Sequence, residues 1–146
     1  MPVPVCPFVG VDTFIQNDKG EVCLITRRDN GLWAMPGGYH DLGETASQCA
    51  AREAWEETGL RVEVKELLGV FSSLNYADHT DAHRGREICH LLFRAAAVGG
   101  TETPSDETRE VAWFAGDALP ELHSGHAPRL EFAFAATGLA GAPHFD

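Results

Sequence analysis

The sequence has few basic residues, few cysteines and no long apolar run. It contains 11 Lys and Arg residues and 22 Asp and Glu residues, which gives a net charge of −11. Duplex nucleic acid and anionic membranes are bound through basic faces, so we expect neither as a partner. No stretch approaches the roughly 20 apolar residues of a transmembrane helix. The N-terminus also lacks the basic region of a signal peptide. These absences favour a cytoplasmic protein.

The cysteines are widely spaced and form no CxxC pair: Cys6, Cys23, Cys49 and Cys89. We therefore expect neither a zinc site nor a disulfide framework, but buried or half-buried thiols in a reducing compartment. The chain has no internal repeat, no low-complexity tract and no long linker. Its 146 residues, 44% of them hydrophobic, predict one globular domain over residues 1–146.

Strand patterns outnumber helical patterns along the chain. Runs of β-branched and aromatic residues predict strands at 9–15, 21–28, within 60–74, at 87–98 and at 110–114. Turn residues at 17–20 and 29–31, the breaker at 36–38, Gly99-Gly100 and polar loops at 75–85 and 101–108 separate them. Helices are predicted at 45–58 and 128–137. This irregular order favours an α+β sandwich, a mixed sheet with helices on its faces.

The helix at 45–58 has sequence signals at both ends. Thr45 is a candidate N-cap, and Gln48 lies three residues later, as a capping box requires. Gly59 suits the left-handed residue that follows a helix. Small side chains at i, i+4 spacing predict close packing of this helix against the sheet; they are Ala46, Ala50 and Ala54.

Three carboxylates share one face in the last turns of this helix, because Glu53, Glu56 and Glu57 are related by i+3 and i+4. Like charges at this spacing repel, and the helix dipole disfavours anions at the C-terminus. One interpretation is a solvated acidic face, with Arg52 offsetting part of the charge. The other is a site for a hard cation such as Mg²⁺, with Mn²⁺ as a near equivalent.

The segment before the helix favours the cation site. Pro36-Gly37-Gly38 allows backbone groups to approach a ligand closely, since glycine has no side chain. Asp41 and Glu44 add two carboxylates, so that five of the 22 acidic residues lie between positions 41 and 57. This pattern predicts metal-assisted hydrolysis of a phosphoryl or pyrophosphoryl bond.

The same residues resemble the Nudix box, GX5EX7REUXEEXGU. Gly38 and Glu44 are followed by Arg52-Glu53-Ala54-Trp55-Glu56-Glu57-Thr58-Gly59-Leu60, which matches every fixed position. The flanking segments LWAMPGG and EVAWFAGDALP also look like those of the family, so the resemblance spans roughly residues 9–120. It implies an α/β/α sandwich with a mixed sheet, in which the box forms a loop–helix–loop.

The resemblance also implies Mg²⁺- or Mn²⁺-dependent hydrolysis of a nucleoside diphosphate linked to another moiety, often by a homodimer. It assigns metal binding to Glu53, Glu56 and Glu57, with a backbone carbonyl at Gly37 or Gly38. Arg52 matches the arginine that orients the glutamates. Glu44 matches a position that supports the box loop and contacts metal through water in some members.

The general base is not fixed by the box. Glu53 and Glu57 are candidates within the helix. Glu107, in the second polar loop, resembles a position from which some members supply a further ligand or base, and Glu110 is the nearby alternative.

Substrate contacts are predicted from scarce cations and from aromatic residues. Arg27 is a candidate for phosphate binding, as are Arg28, Arg84 and Arg86, because guanidinium groups bind phosphate in a bidentate manner. Trp33 and Tyr76 are candidates for stacking on a base, as is Tyr39, although core or rim packing is the common role of such aromatics. His79 and His83 lie in the polar loop at 75–85, which we expect to contact substrate or to act as a lid.

The sequence therefore predicts a hydrolase that acts on a small-molecule nucleotide: a nucleoside triphosphate, a dinucleoside polyphosphate or a nucleotide sugar. A catalytically silent Nudix-like module that binds nucleotide as a regulator is the alternative, although no box glutamate is missing. A protein that only sequesters metal would leave the PGG segment and Arg52 unexplained, and the charge disfavours removal of RNA caps.

Overall fold

The computed structural model describes residues 5–75, 86–136 and 141–146. Within them the chain forms seven strands and two helices, in the order β1 (Phe8–Gln16), β2 (Val22–Arg27), β3 (Trp33–Ala34), β4 (Gly37–Tyr39), α1 (Ala46–Thr58), β5 (Leu60–Ser72), β6 (Ile88–Gly100), β7 (Thr108–Phe114) and α2 (His126–Ala136).

The strands form one mixed sheet. Its main path runs β3-β2-β1-β6-β5, while β4 pairs with β1 and β7 pairs with β2. Strands β1 and β6 are parallel over the whole of β1, and the other named pairs are antiparallel. The mixed sheet predicted from the sequence is therefore confirmed.

The two helices lie on opposite faces of this sheet, as the alternation of side chains along β1 shows. Val11 and Ile15 belong to hydrophobic clusters that contain residues of α1. Phe14 points the other way and packs in a cluster with Leu130 and Ala133 of α2. The expected α/β/α sandwich is confirmed, and even-numbered residues of β1 face α2.

Local signals define α1 as predicted. The Thr45 side chain accepts a hydrogen bond from the Gln48 amide, and the Gln48 side chain accepts one from the Thr45 amide. Gly59 has a φ of 75° and ends the helix in the left-handed conformation. Ala50 and Ala54 are fully buried. Small side chains thus let α1 approach the sheet closely, which fixes the height of its carboxylates above the sheet.

Several boundaries differ from the sequence predictions. The segment expected to break structure at 36–38 contributes to β4, because its backbone pairs with β1. Helix α2 begins at His126, ahead of Pro128, and β6 continues through both Gly99 and Gly100. Cys6 is exposed, so the expectation of a buried or half-buried thiol is wrong for it. No helix in the described part of the chain is long and apolar enough to cross a membrane.

Candidate active site

The box helix presents its glutamates at the end that faces β4. Glu57 is buried, with 7% of its surface exposed, and the Glu53 side chain is 12% exposed. Glu56 projects towards solvent, with 54% of its side chain exposed. The three carboxylates share a helix face as predicted, but only two of them are withdrawn from water.

Arg52 connects these carboxylates to the loop that precedes the helix. Its Nε and Nη2 donate to both carboxylate oxygens of Glu44, at 2.9 and 2.8 Å. Its Nη1 donates to Glu53 at 2.9 Å and to Glu56 at 3.1 Å. The fork on Glu44 lowers the pKa of that carboxyl to about 2, so it stays ionised. Arg52 thus holds the glutamates in place, which agrees with the orienting role that the resemblance implied.

The glycines of β4 bring backbone directly onto the two buried carboxylates. The Gly37 amide donates to Glu57 Oε1 at 2.9 Å. A Cβ atom on Gly38 would lie 2.3 Å from Glu53 Oε1, and one on Gly37 would lie 2.1 Å from the Val11 carbonyl oxygen. Neither position can carry a side chain without displacing its neighbours. The close approach predicted for the Pro-Gly-Gly segment is therefore present, and its partners are the box glutamates themselves.

Burial changes the ionisation of both glutamates. It raises the pKa of Glu57 to about 8, and the negative charges of Glu53 and Glu107 act in the same direction. Burial likewise raises the pKa of Glu53, although the hydrogen bond from Arg52 opposes it. Two carboxylates are thus crowded where ionisation is unfavourable, and a bound cation would relieve this cost.

The donor set suits a hard divalent ion, because it consists of carboxylate oxygens. In the described ranges, no three acidic, His or Cys side chains are gathered in a ready metal-binding cluster. Arg52 and the Gly37 amide hold the box carboxylates instead. Glu53 and Glu57 have the chemistry and the surplus of buried negative charge that such an ion requires. They are the residues that would hold it.

Glu107 lies within electrostatic reach of these glutamates, since its charge raises the pKa of both Glu53 and Glu57. The turn that carries it is tied to the helix, because Thr108 Oγ1 donates to the Glu57 carbonyl oxygen at 3.1 Å. Glu110 is exposed on β7, and its amide bonds to Thr26. Glu107 therefore acts on the two buried glutamates through its charge, and its role as a further ligand or base stays a prediction.

A cavity of about 240 Å³ opens beside the buried carboxylates. Gly37, Gly38 and Glu57 line it, together with Arg27 and Arg86. Arg27 donates from Nε and Nη2 to the two carboxylate oxygens of its neighbour Asp29, at 3.0 and 2.8 Å. Asp29 thus holds the Arg27 guanidinium beside the cavity.

Of the two predicted aromatic contacts that the structure describes, Trp33 and Tyr39, only one lines this cavity. Trp33 packs edge-on against Phe114, with ring centroids 4.8 Å apart, beside the core on the α2 face. It is not among the described residues that line the cavity. Tyr39, by contrast, does line it. Tyr76, Arg84 and the loop that carries His79 and His83 lie outside the described residues.

Sequence reasoning missed the polar floor of the cavity. It is formed by buried or nearly buried side chains from β1, β6, the segment before α2 and α2 itself: Asp12, His90, His123, His126 and Arg129. Two signals were available. Asp12 interrupts an apolar strand, and Arg129 stands in the apolar stretch of α2, where lone charges need a partner.

Comparison with known proteins agrees with this geometry. A family model described as NUDIX domain matches residues 7–133. A MutT-like protein of Streptomyces ambofaciens is 40% identical over 113 residues, which are 77% of this chain and 67% of that protein. An ADP-ribose pyrophosphatase of Methanocaldococcus jannaschii is 36% identical over 123 residues, 82% of this chain and 69% of that protein.

Solved structures show the same fold. A UDP-X diphosphatase superimposes with a TM-score of 0.87 at 22% identity, over 99% of this chain and 70% of that chain. A MutT NUDIX hydrolase from Burkholderia pseudomallei gives a TM-score of 0.73 at 32% identity, over 87% of this chain and 98% of that chain. With the intact box, its capped helix and the matching family model, the chain belongs to the Nudix family of hydrolases, which act on pyrophosphate bonds.

Proposed function

We propose that this protein is an Mg²⁺-dependent pyrophosphohydrolase, with Mn²⁺ as a substitute. Its substrate is a nucleoside diphosphate linked to another moiety, namely a nucleoside triphosphate, a dinucleoside polyphosphate or a nucleotide sugar. The observation that carries the proposal is the placement of Glu53 and Glu57 against the β4 backbone, beside a cavity that Glu57 lines together with Arg27 and Arg86.

Different residues of the chain are assigned different roles in the reaction. Arg27 at the cavity mouth binds and orients a phosphate of the substrate. Glu53 and Glu57 would hold the metal. Arg52, anchored by Glu44, fixes the orientation of Glu53, and the Gly37 amide fixes that of Glu57. When bound, the metal neutralises phosphate oxygens and lowers the pKa of the attacking water.

Further ligands and the base complete this assignment. Glu56 is accessible as a further ligand, and the Gly38 carbonyl is the proposed backbone ligand. We place the general base among Glu53, Glu57 and Glu107. Roles in substrate binding for Trp33 and Tyr76 stay predictions.

The test is release of phosphate and pyrophosphate across a nucleotide panel, with Mg²⁺, with Mn²⁺ and with EDTA. Turnover is expected to require metal and to fall by a factor of about 100 or more in Glu57→Gln. Glu63→Gln is the matched control, because Glu63 is an exposed glutamate of β5 that pairs with Lys65 outside the site. Equal loss in both variants would contradict the assignment. Nucleotide binding without turnover by the folded, metal-loaded protein would favour the regulatory module.

The proposal keeps three further expectations from the sequence. They are a cytoplasmic location, one domain over residues 1–146 and a homodimer. Size-exclusion chromatography with light scattering tests the last, since a monomer at micromolar concentration would contradict it.

A further inference from the structure

The segment that precedes α2 runs beside the segment that leads into β4. The Trp33 amide donates to the Glu121 carbonyl oxygen at 3.1 Å, and the Trp33 carbonyl oxygen accepts the His123 amide at 2.7 Å. These two bonds form a short parallel bridge. In that register the next donor is the Met35 amide, and its acceptor would be the His123 carbonyl oxygen. That oxygen instead accepts the His126 amide at 3.3 Å, where α2 begins.

The side chain of His126 serves as the acceptor in its place. His126 Nδ1 accepts the Met35 amide at 3.3 Å, and both residues are buried. Only an unprotonated Nδ1 can accept, so the ring is neutral and carries its proton on Nε2. Burial lowers the pKa of His126 to about 3, and Arg129 acts in the same direction, which agrees with a neutral ring. The Met35 amide is therefore held by a side chain of α2.

The Met35 amide lies two residues before the amide that contacts the box helix. The Gly37 amide donates to Glu57 Oε1 at 2.9 Å. Pro36, between the two, has a fixed φ and restricts Met35 to extended conformations. The Pro36 carbonyl oxygen also accepts an amide of β1 at 2.9 Å. Segment 35–37 is therefore stiff, so the direction of its first amide determines that of its last.

Helix α2 is itself anchored to the sheet beside this segment. Arg129, three residues after His126, places its Nε 3.0 Å from Asp12 Oδ2, and 4% of its side chain is exposed. Asp12 lies opposite Gly37 in the pairing of β1 with β4. The ion pair keeps α2 on the sheet when the side chain at position 126 is replaced. A substitution there therefore acts on the hydrogen bond to Met35.

We propose that His126 is a positioning residue for the metal site, because through segment 35–37 it fixes the orientation of the Glu57 carboxylate. This inference rests on the proposed function in taking Glu57 to hold the metal. In this role His126 contacts neither the metal nor the substrate. Loss of a group that orients a metal ligand typically lowers metal affinity about 10- to 100-fold.

The first test is the tautomer of His126 in the wild type, measured near neutral pH by heteronuclear NMR of the imidazole nitrogens. A neutral ring with its proton on Nε2 is expected. A proton on Nδ1, in the other tautomer or in the doubly protonated ring, would overturn the inference. That nitrogen could then not accept the Met35 amide.

Two substitutions separate the hydrogen bond from the ring. His126→Asn places a carboxamide close to the position of Nδ1 and can still accept the Met35 amide, whereas the longer His126→Gln reaches towards the position of Nε2. The matched control is His144→Gln, since His144 stacks on Phe71 and is not among the described residues that line the cavity. Hydrogen exchange of the Gly37 amide, measured without metal or nucleotide, is expected to become about 10-fold faster in His126→Gln alone. Exchange at the wild-type rate in His126→Gln, or an equal rise in His126→Asn, would overturn the inference.

Binding of Mn²⁺, measured by EPR without nucleotide, is the second readout. His126→Gln is expected to weaken it about 10-fold or more, whereas His126→Asn and His144→Gln keep the wild-type affinity. Unchanged affinity in His126→Gln, or no binding by the wild type, would overturn the inference. If His126→Gln does not fold, His126→Asn decides: it is expected to keep both the Gly37 exchange rate and the Mn²⁺ affinity, and loss of either would refute the role.

The two proposals fail separately. Gly37 exchange and Mn²⁺ affinity that depend on His126 as expected, without hydrolysis of any nucleotide, would support the positioning role and refute the pyrophosphohydrolase. Metal-dependent hydrolysis by the wild type, with Gly37 exchange and Mn²⁺ affinity unchanged in His126→Gln, would do the reverse.

Discussion

His126 makes the stability of the protein depend on pH in a way that can be calculated. Its ring is buried beside Arg129, and its pKa falls from 6.5 to about 3, first because of burial and then because of that guanidinium. Asp12 favours the protonated form but does not outweigh them, and His90 and His123 add to the lowering. Between about pH 3 and pH 6.5 the unfolded chain therefore binds one proton more than the folded chain, because His126 is protonated only in the unfolded chain.

The direction and the size of the pH effect on stability follow from this difference in bound protons. Because the unfolded state binds more protons, stability falls as pH is lowered through 6.5, by about 1.4 kcal/mol per pH unit. From pH 7.5 to pH 5 this one histidine removes about 2 kcal/mol of unfolding free energy. That is a large fraction of the stability of a domain of this size.

Urea unfolding of the wild type and of His126→Gln, at pH 7.5 and at pH 5, measures this contribution. Altered packing lowers the stability of the variant by the same amount at both pH values. That loss cancels when the change in unfolding free energy between pH 7.5 and pH 5 is compared in the two proteins. The wild type is expected to lose about 2 kcal/mol more than the variant on acidification. Equal losses would show that His126 accepts a proton in the folded state, and would refute the reasoning from burial.

Two other predictions follow from close packing and burial. Gly38→Ala forces Glu53 to move, because the new Cβ would lie 2.3 Å from its Oε1, and kcat is expected to fall about 100-fold. Gly141→Ala is the control, since a Cβ there meets nothing within 4 Å, and similar losses in both would contradict the prediction. Burial raises the pKa of Cys23 to about 12, and Glu102 acts in the same direction. A thiol-specific reagent at pH 8 is therefore expected to modify exposed Cys6 quickly and Cys23 only after unfolding. Labelling of both at one rate would contradict this.

The parts of the fold that sequence could predict are those with local causes. Helix α1 is bounded by Thr45, Gln48 and Gly59, and each of these acts within a turn of its own position. The longer strands follow from runs of β-branched and aromatic residues. Strands β3 and β4 were missed because two or three residues become a strand only when a partner is present. For β4 that partner is β1, which is far from it in sequence.

The candidate site likewise has one part that the sequence predicts and one part that it does not. The carboxylate helix could be predicted because helical spacing alone places Glu53 and Glu57 together. The floor of the cavity could not, because Asp12 and Arg129 come from opposite ends of the chain and meet only when α2 packs on the sheet. A charge within an apolar strand shows that some partner exists but does not identify it.

The distribution of charge explains how such an acidic protein can bind a phosphorylated substrate. With a net charge of −11, the molecule repels nucleotides at long range. Yet Arg27, Arg86 and Arg129 line the same cavity as Glu57 and Asp12. Attraction therefore acts only at short range, where salt screens it little. We expect a field of this kind to give little general affinity for polyanions such as duplex nucleic acid. Binding of a nucleotide then depends on contacts inside the cavity rather than on long-range attraction.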